Sequence, residues 1–338
     1  MKPWTAKRLV WMIAISLLVW VVLATLCLMV GSTGEFGWPT KQAFQIRLEP
    51  VLLASIVGAA LASAGVVYQA ILQNPLADPY LLGVSSGAML AAYLWQLPWA
   101  TRFLVTSSGW AFGQQSAAFA GALIAIGIVF ALASRRGRLE PITLLLVGVI
   151  VNAINGSIFM LLNAIVKDTA TPGGPLAFLV GTIQTTGLST RQEIAAPVVI
   201  GIGWLIILFI AGQLNVAMLS ESESLSLGVR IHRLRWVALL IASLMTASAV
   251  AISGPIGFVG LVCPHLARLF VGNDQRKLLP LATALGAGLL AVADAASRKL
   301  AARGGIDTLL PVGVITGLLG GPFFLILLWQ NRRRGSVV

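Results

Sequence analysis

Ten apolar runs, most of them long enough to cross a bilayer, punctuate this sequence and leave few ways for it to fold. A helix needs about 20 apolar residues to span the hydrocarbon of a membrane. Runs bounded by charge, Gly or Pro fall at about 9–31, 48–72, 79–97, 113–134, 141–166, 194–213, 236–252, 254–270, 278–302 and 309–329, the eighth being the least regular. Charge is too scarce to build a water-facing surface around them. Asp, Glu, Lys and Arg make up 10% of residues, against about 25% in soluble domains. The sequence therefore predicts an all-α, polytopic membrane protein with about ten transmembrane helices, organised as one transmembrane domain over residues 1–338.

The basic residues test that count independently, because cytoplasmic loops retain Lys and Arg. With the N-terminus inside, fifteen of the 23 Lys and Arg fall in inner segments: Lys2, Lys7, Arg8; Arg135, Arg136, Arg138; Arg230, Arg233, Arg235; Arg268, Arg276, Lys277; and Arg332, Arg333, Arg334. Eight fall outside. An even number of spans puts both termini in the cytoplasm, and dropping any one span would invert everything after it. The net charge of +12 thus reads as a topology signal, not as nucleic-acid binding. Lys2, Lys7 and Arg8 followed by Leu9 to Gly31 resemble a signal peptide, but the apolar run is too long for one, so an uncleaved first span is expected. Cys27 and Cys263 sit inside apolar runs with no partner at metal-ligand spacing, and read as small apolar side chains.

Three stretches interrupt the apolar pattern. In Gln73-Asn74-Pro75-Leu76-Ala77-Asp78-Pro79, two prolines four residues apart cannot share a regular helix. Asn74 and Asp78 can bond the freed backbone locally, so a shaped turn is expected, with a structural or gating role. The second stretch, Ser253 to His265, carries Gly or Pro every few residues. Non-helical backbone at membrane depth survives only against protein or water, so a broken helix here must be buried or line a cavity. His265 lacks a His or Cys neighbour and reads as an ordinary hydrogen-bonded histidine near the inner face. The third is an inner loop at 214–235, long enough to fold on the membrane face as a docking element for a cytoplasmic partner.

Other features are weaker. Asp294 is an acid in an apolar run, which by default suggests function. Arg298 lies four residues on, so a local ion pair near the outer end is the plainer reading. Gly83-x-x-x-Gly87 and the ladder Gly313, Gly317, Gly321 have the spacing of close helix packing, which is favoured over a path lining. The dipeptide Gly-Lys never occurs, so the sequence holds no P-loop, and it holds no HExxH motif. No catalytic or metal-ligating residue is expected.

At these residues the sequence resembles the FecCD-type permeases of binding-protein-dependent ABC importers, which serve iron-siderophores, haem and cobalamin. The resemblance rests on QNPLADPYLLGVSSGA at 73–88, SGPIGFVGLVCPHLARL at 253–269 and LPVGVITGLLGGPFF at 310–324. It implies a cobalamin-permease-like fold in a bacterial cytoplasmic (inner) membrane, paired with a second permease chain as a dimer around a central path. It also implies two cytoplasmic ATPase subunits, which would hold ATP and Mg, and an external or periplasmic substrate-binding protein. No cofactor is expected in this chain.

The resemblance places Asn74, Pro75 and Leu76 at the inner gate. It makes the 214–235 loop the coupling element through Leu225, Leu227, Gly228, Val229 and Arg230, and gives Arg47 and Arg298 to binding-protein docking. The chain departs from the family where Arg47-Leu48-Glu49-Pro50 lacks a second arginine, and where Leu309-Leu310-Pro311 lacks the usual acid. Lys299 or Arg303 is the expected substitute. The function implied is import of a chelated metal compound by alternating access. The rival reading is an ion-coupled secondary transporter acting without an ATPase.

Overall fold

Hydrocarbon offers no partner for a backbone N–H or C=O, so apolar runs of this length must bond internally, and the helix does so within one segment. A computed structural model describes residues 6–30, 37–97, 113–135, 138–166, 181–183, 190–219, 221–303 and 310–333. Its helices are α1 (Ala6–Met29), α2 (Lys41–Ile71), a 3-10 turn (Pro79–Leu82), α3 (Val84–Gln96), α4 (Gln114–Ala133), α5 (Pro141–Ile165), α6 (Thr190–Ala217), α7 (Glu221–Ser226), α8 (Ile231–Ser253), α9 (Val259–Val271), α10 (Gln275–Arg303) and α11 (Val312–Arg333). A two-residue ribbon, Ser134–Arg135 against Arg138–Leu139, joins α4 to α5.

Leaving aside the six-residue α7, the ten helices answer the ten apolar runs one for one. Seven of them are long and apolar enough to span a membrane by themselves. The differences fall where backbone conformation intervenes. The third run starts as a 3-10 turn, and Gly83 at φ +82° ends that turn before α3 begins. The eighth run starts with non-helical backbone through 254–258, so α9 begins at Val259. α2 begins seven residues earlier than expected, where the Thr40 hydroxyl accepts the Ala43 N–H. α6 and α8 extend into the inner loop, which leaves 218–230 between them, with α7 inside it.

α2 forms the centre, with nineteen buried residues from Pro50 to Ile71. It crosses α10 and α9 where glycines meet. A Cβ on Gly58 would lie 2.1 Å from the Gly286 carbonyl oxygen, and one on Gly65 would lie 1.8 Å from that of Gly260. α3 and α4 cross in the same way at Gly87 and Gly121. Small residues are needed there because backbone contact replaces the missing hydrophobic drive between helices in lipid. The glycine ladder on α11 behaves otherwise. Gly317 and Gly321 have nothing within 4 Å of a built Cβ, so the packing expected of them falls instead to Gly320, against the ring of Phe258. Likewise Gly83 serves a turn, and only Gly87 of that pair serves a helix crossing.

Candidate functional site

α2 stops at Ile71, and Pro75 and Pro79 prevent it from continuing. Gln73 adopts φ +49°, which turns the chain back. The Asn74 side-chain oxygen then accepts the Leu76 N–H at 2.9 Å, and the Ala77 N–H donates to the Asn74 carbonyl at 3.0 Å. Asp78 caps the 3-10 turn by accepting the Tyr80 N–H at 3.0 Å. Asn74, Pro75 and Leu76 form the tip, with Leu76 41% exposed, while Ala77 is fully buried.

The turn is also the partner that the broken helix requires. Between α8 and α9, Gly254 and Phe258 take positive φ, +66° and +70°, leaving backbone groups without helical partners. The Ile256 N–H donates to the Tyr80 hydroxyl, and the Phe258 N–H to the Asp78 carboxylate. Gln69 donates to the Gly260 carbonyl at 3.2 Å. Gly260 has no room for a side chain, since a Cβ would stand 2.8 Å from the Pro79 ring and 2.9 Å from the Leu61 carbonyl. From α5, Asn152 donates to the Tyr80 carbonyl at 2.9 Å and Asn155 to the Ser86 hydroxyl at 3.1 Å. The interruption at 253–258 is therefore braced by protein, with Ser253, Gly254 and Ile256 buried and Pro255, Gly257 and Phe258 half-buried.

Two outcomes follow at this joint. Tyr80→Phe keeps the ring and removes the acceptor of the buried Ile256 N–H, so it should cost about 1–3 kcal/mol, read as a lower melting temperature in detergent. Burial pushes the Asp78 carboxyl up from its ordinary 3.8 to about 6, despite the two N–H donors that oppose the shift. A carboxyl raised in the folded state holds its proton longer there, so its contribution to stability falls as pH rises from about 4 to 6 and is level above that. Asp78→Asn should flatten that stretch of the stability–pH curve, and a curve unchanged from wild type would contradict the assignment.

On the same side of the protein as the turn, α7 follows the end of α6 after three residues. The Ser224 hydroxyl donates to the Val216 carbonyl at 2.8 Å, and the Val229 N–H to the Ser224 carbonyl at 3.1 Å. Gly228, at φ +75°, reverses the chain into α8. Leu227, Gly228 and Arg230 are exposed and Val229 is half-buried; the Leu225 side chain lies outside the described residues. A cavity of about 450 Å³ opens beside the loop, lined by Gly228, Val229, Arg230 and Arg233 with Ile210 and Gln213 of α6.

Residues that the sequence did not single out join this loop to the turn. Gln73 Nε2 donates to the carbonyls of Ala217 at 3.0 Å and Leu219 at 3.2 Å. Asn215 donates to Asp274 at 2.8 Å and accepts the Gln275 N–H at 2.8 Å, tying α6 to α10. Gln73 stands in the quoted motif, but nothing local marks partners some 140 residues away.

Of the basic residues expected on the outer face, Arg47 and Arg298 meet at one cavity of about 210 Å³, with Cys27, Asp294 and Pro50 in its wall. Arg298 contacts both Asp294 oxygens, Nε at 3.0 Å and Nη2 at 3.2 Å, so the expected ion pair is present. Arg47 donates to the Leu28 carbonyl at 3.0 Å, in the last turn of α1. Lys299 is half-buried on α10 and does not line that cavity, and the Arg303 side chain lies outside the described residues. His265 sits half-buried with its ring edge-on to Phe323 at 6.1 Å. Among the described residues no group of three or more His, Cys, Asp or Glu could hold a metal ion.

Ten helices, seven of them long and apolar enough to span a membrane, pack with a broken helix braced by a proline-bounded turn and define a multi-pass membrane protein. Its sequence places it further: the chain belongs to the FecCD transport family, whose model matches residues 8–330. It is 40% identical to the cobalamin import system permease BtuC of Halobacterium salinarum over 89% of this chain and 77% of that one. It is 39% identical to the hemin transport system permease HmuU of Yersinia pestis over 90% and 87%. A solved structure described as an inward-facing conformation of a metal-chelate type ABC transporter superposes with a TM-score of 0.78 and 28% identity, covering 95% of this chain and 99% of that one.

Proposed function

We propose that this chain is the membrane-spanning permease subunit of an ATP-driven importer that moves a chelated metal compound, such as a ferric siderophore, haem or cobalamin, into the cytoplasm by alternating access. Relatives named as cobalamin and hemin permeases support the substrate class. The observation that carries most of the mechanism is the bonding of turn, broken helix and inner loop into one assembly on one side of the protein. The tip at Asn74, Pro75 and Leu76 serves as the gate. The loop carrying Leu225, Leu227, Gly228, Val229 and Arg230 is the surface that two cytoplasmic ATPase subunits engage, and those subunits hold ATP and Mg. Arg47 and Arg298 receive carboxylates of an external binding protein, with Lys299 and Arg303 adding positive charge nearby. A second copy of the chain completes the path, and both termini face the cytoplasm of a bacterial inner membrane.

An ion-coupled transporter acting alone has less support. Asp294, the acid within an apolar run on which that reading depended, is buried and engaged by Arg298. The permease reading is tested by mixing the purified chain with its cognate ATPase. A stable complex should form, with an ATPase rate stimulated by the loaded binding protein. Failure of the two proteins to associate would overturn it.

A further inference from the structure

Gln73 is costly where it stands. A non-glycine residue at positive φ is strained by about 1–2 kcal/mol, and glycine would sit there freely. Its side chain is exposed and one of its two hydrogen bonds lies at the surface, where such bonds add little stability. What the side chain does is reach from the gate tip to the end of α6. Its amide donates to the carbonyl of Ala217, one of those a helix end leaves without an internal partner, and to that of Leu219 two residues beyond the helix. The last turn of α6 is the same one that holds the coupling helix α7, through the Ser224 hydroxyl on Val216. Asn74, next to Gln73, anchors Leu76 at the tip. The route from α7 to Leu76 is therefore three short hydrogen-bonded steps. The covalent chain between them, from 76 to 221, passes back and forth across the membrane several times.

We infer that Gln73 is a positioning residue that transmits movement of the coupling helix to the gate. This rests on the permease reading above. When a partner shifts α7, the end of α6 moves with it, and the Gln73 amide pulls the turn tip in step. Asn215, bonded to Asp274 and Gln275, holds the other side of α6 to α10, so the displacement is directed toward the turn.

The experiment uses the full transporter in proteoliposomes, and measures substrate moved and ATP hydrolysed together. Gln73→Gly accepts the positive φ without strain and removes only the side chain. Gln73→Glu keeps the shape and turns the donor into an acceptor facing two carbonyls. Both variants should assemble with the ATPase and keep its basal rate, while substrate moved per ATP falls roughly tenfold, the size of a typical coupling between sites. A Gln73→Gly transporter with the wild-type ratio would overturn the inference. So would loss of assembly in both variants, which would make the residue structural. A wild-type complex that hydrolyses ATP without moving substrate would instead overturn the permease reading, so the two failures are distinguishable.

Discussion

Gly65→Ala is expected to leave almost no folded protein. The added methyl would lie 1.8 Å from the Gly260 carbonyl oxygen and within 2.7 Å of the Gly260 Cα, so backbone must move, not a flexible side chain. Moving α9 away from α2 would also break the Gln69 bond to Gly260 and draw Pro79 out of its contact with the same residue. Overpacking of a tight core costs about 1–3 kcal/mol, and a backbone collision that opens a joint of this kind belongs in the exceptional range above about 4 kcal/mol. The measurement is the yield of monodisperse protein in detergent and its melting temperature. Gly127→Ala and Gly321→Ala are the controls, since neither has an atom within 4 Å of the new methyl, and both should behave as wild type.

Arg298→Glu should damage two properties that can be separated. Asp294 is 4% exposed, and the guanidinium is its counter-charge. Arg298 is 29% exposed, so leaving the buried carboxylate without its partner costs about 1–3 kcal/mol, and the melting temperature should fall. Binding-protein affinity should fall about thirtyfold, equivalent to about 2 kcal/mol, because one docking cation becomes an anion. That penalty should shrink as salt screens it. The double variant Asp294→Asn with Arg298→Gln restores a neutral pair in the wall. It should recover most of the stability and little of the docking. Recovery of both together would show that Arg298 acts only as a structural partner of Asp294.

How much of this was legible in the sequence depended on whether the cause was local. The ten apolar runs read well because hydrocarbon imposes their composition directly, and each became a helix, though several ends moved by five to seven residues. The turn at 73–79 read well because Asn74 and Asp78 bond backbone two residues away. The break at 253–258 could be recognised as needing cover, but not what covers it. Tyr80 meets Ile256 across 176 residues, and Asn152 meets Tyr80 across 72. Spacing showed that Gly313, Gly317 and Gly321 share a face of α11 without showing what that face meets, and two of the three meet nothing among the described residues. Gln73 was the larger miss. Its importance lies in partners at the far end of α6, which no pattern within the motif records.

The most direct measurement of the whole account is uptake of a radiolabelled ferric siderophore, haem or cobalamin into proteoliposomes holding the permease, its ATPase and the binding protein. The account predicts uptake only with hydrolysable ATP, unaffected by collapsing proton and sodium gradients. Uptake by the permease alone, driven by an imposed ion gradient, would contradict it.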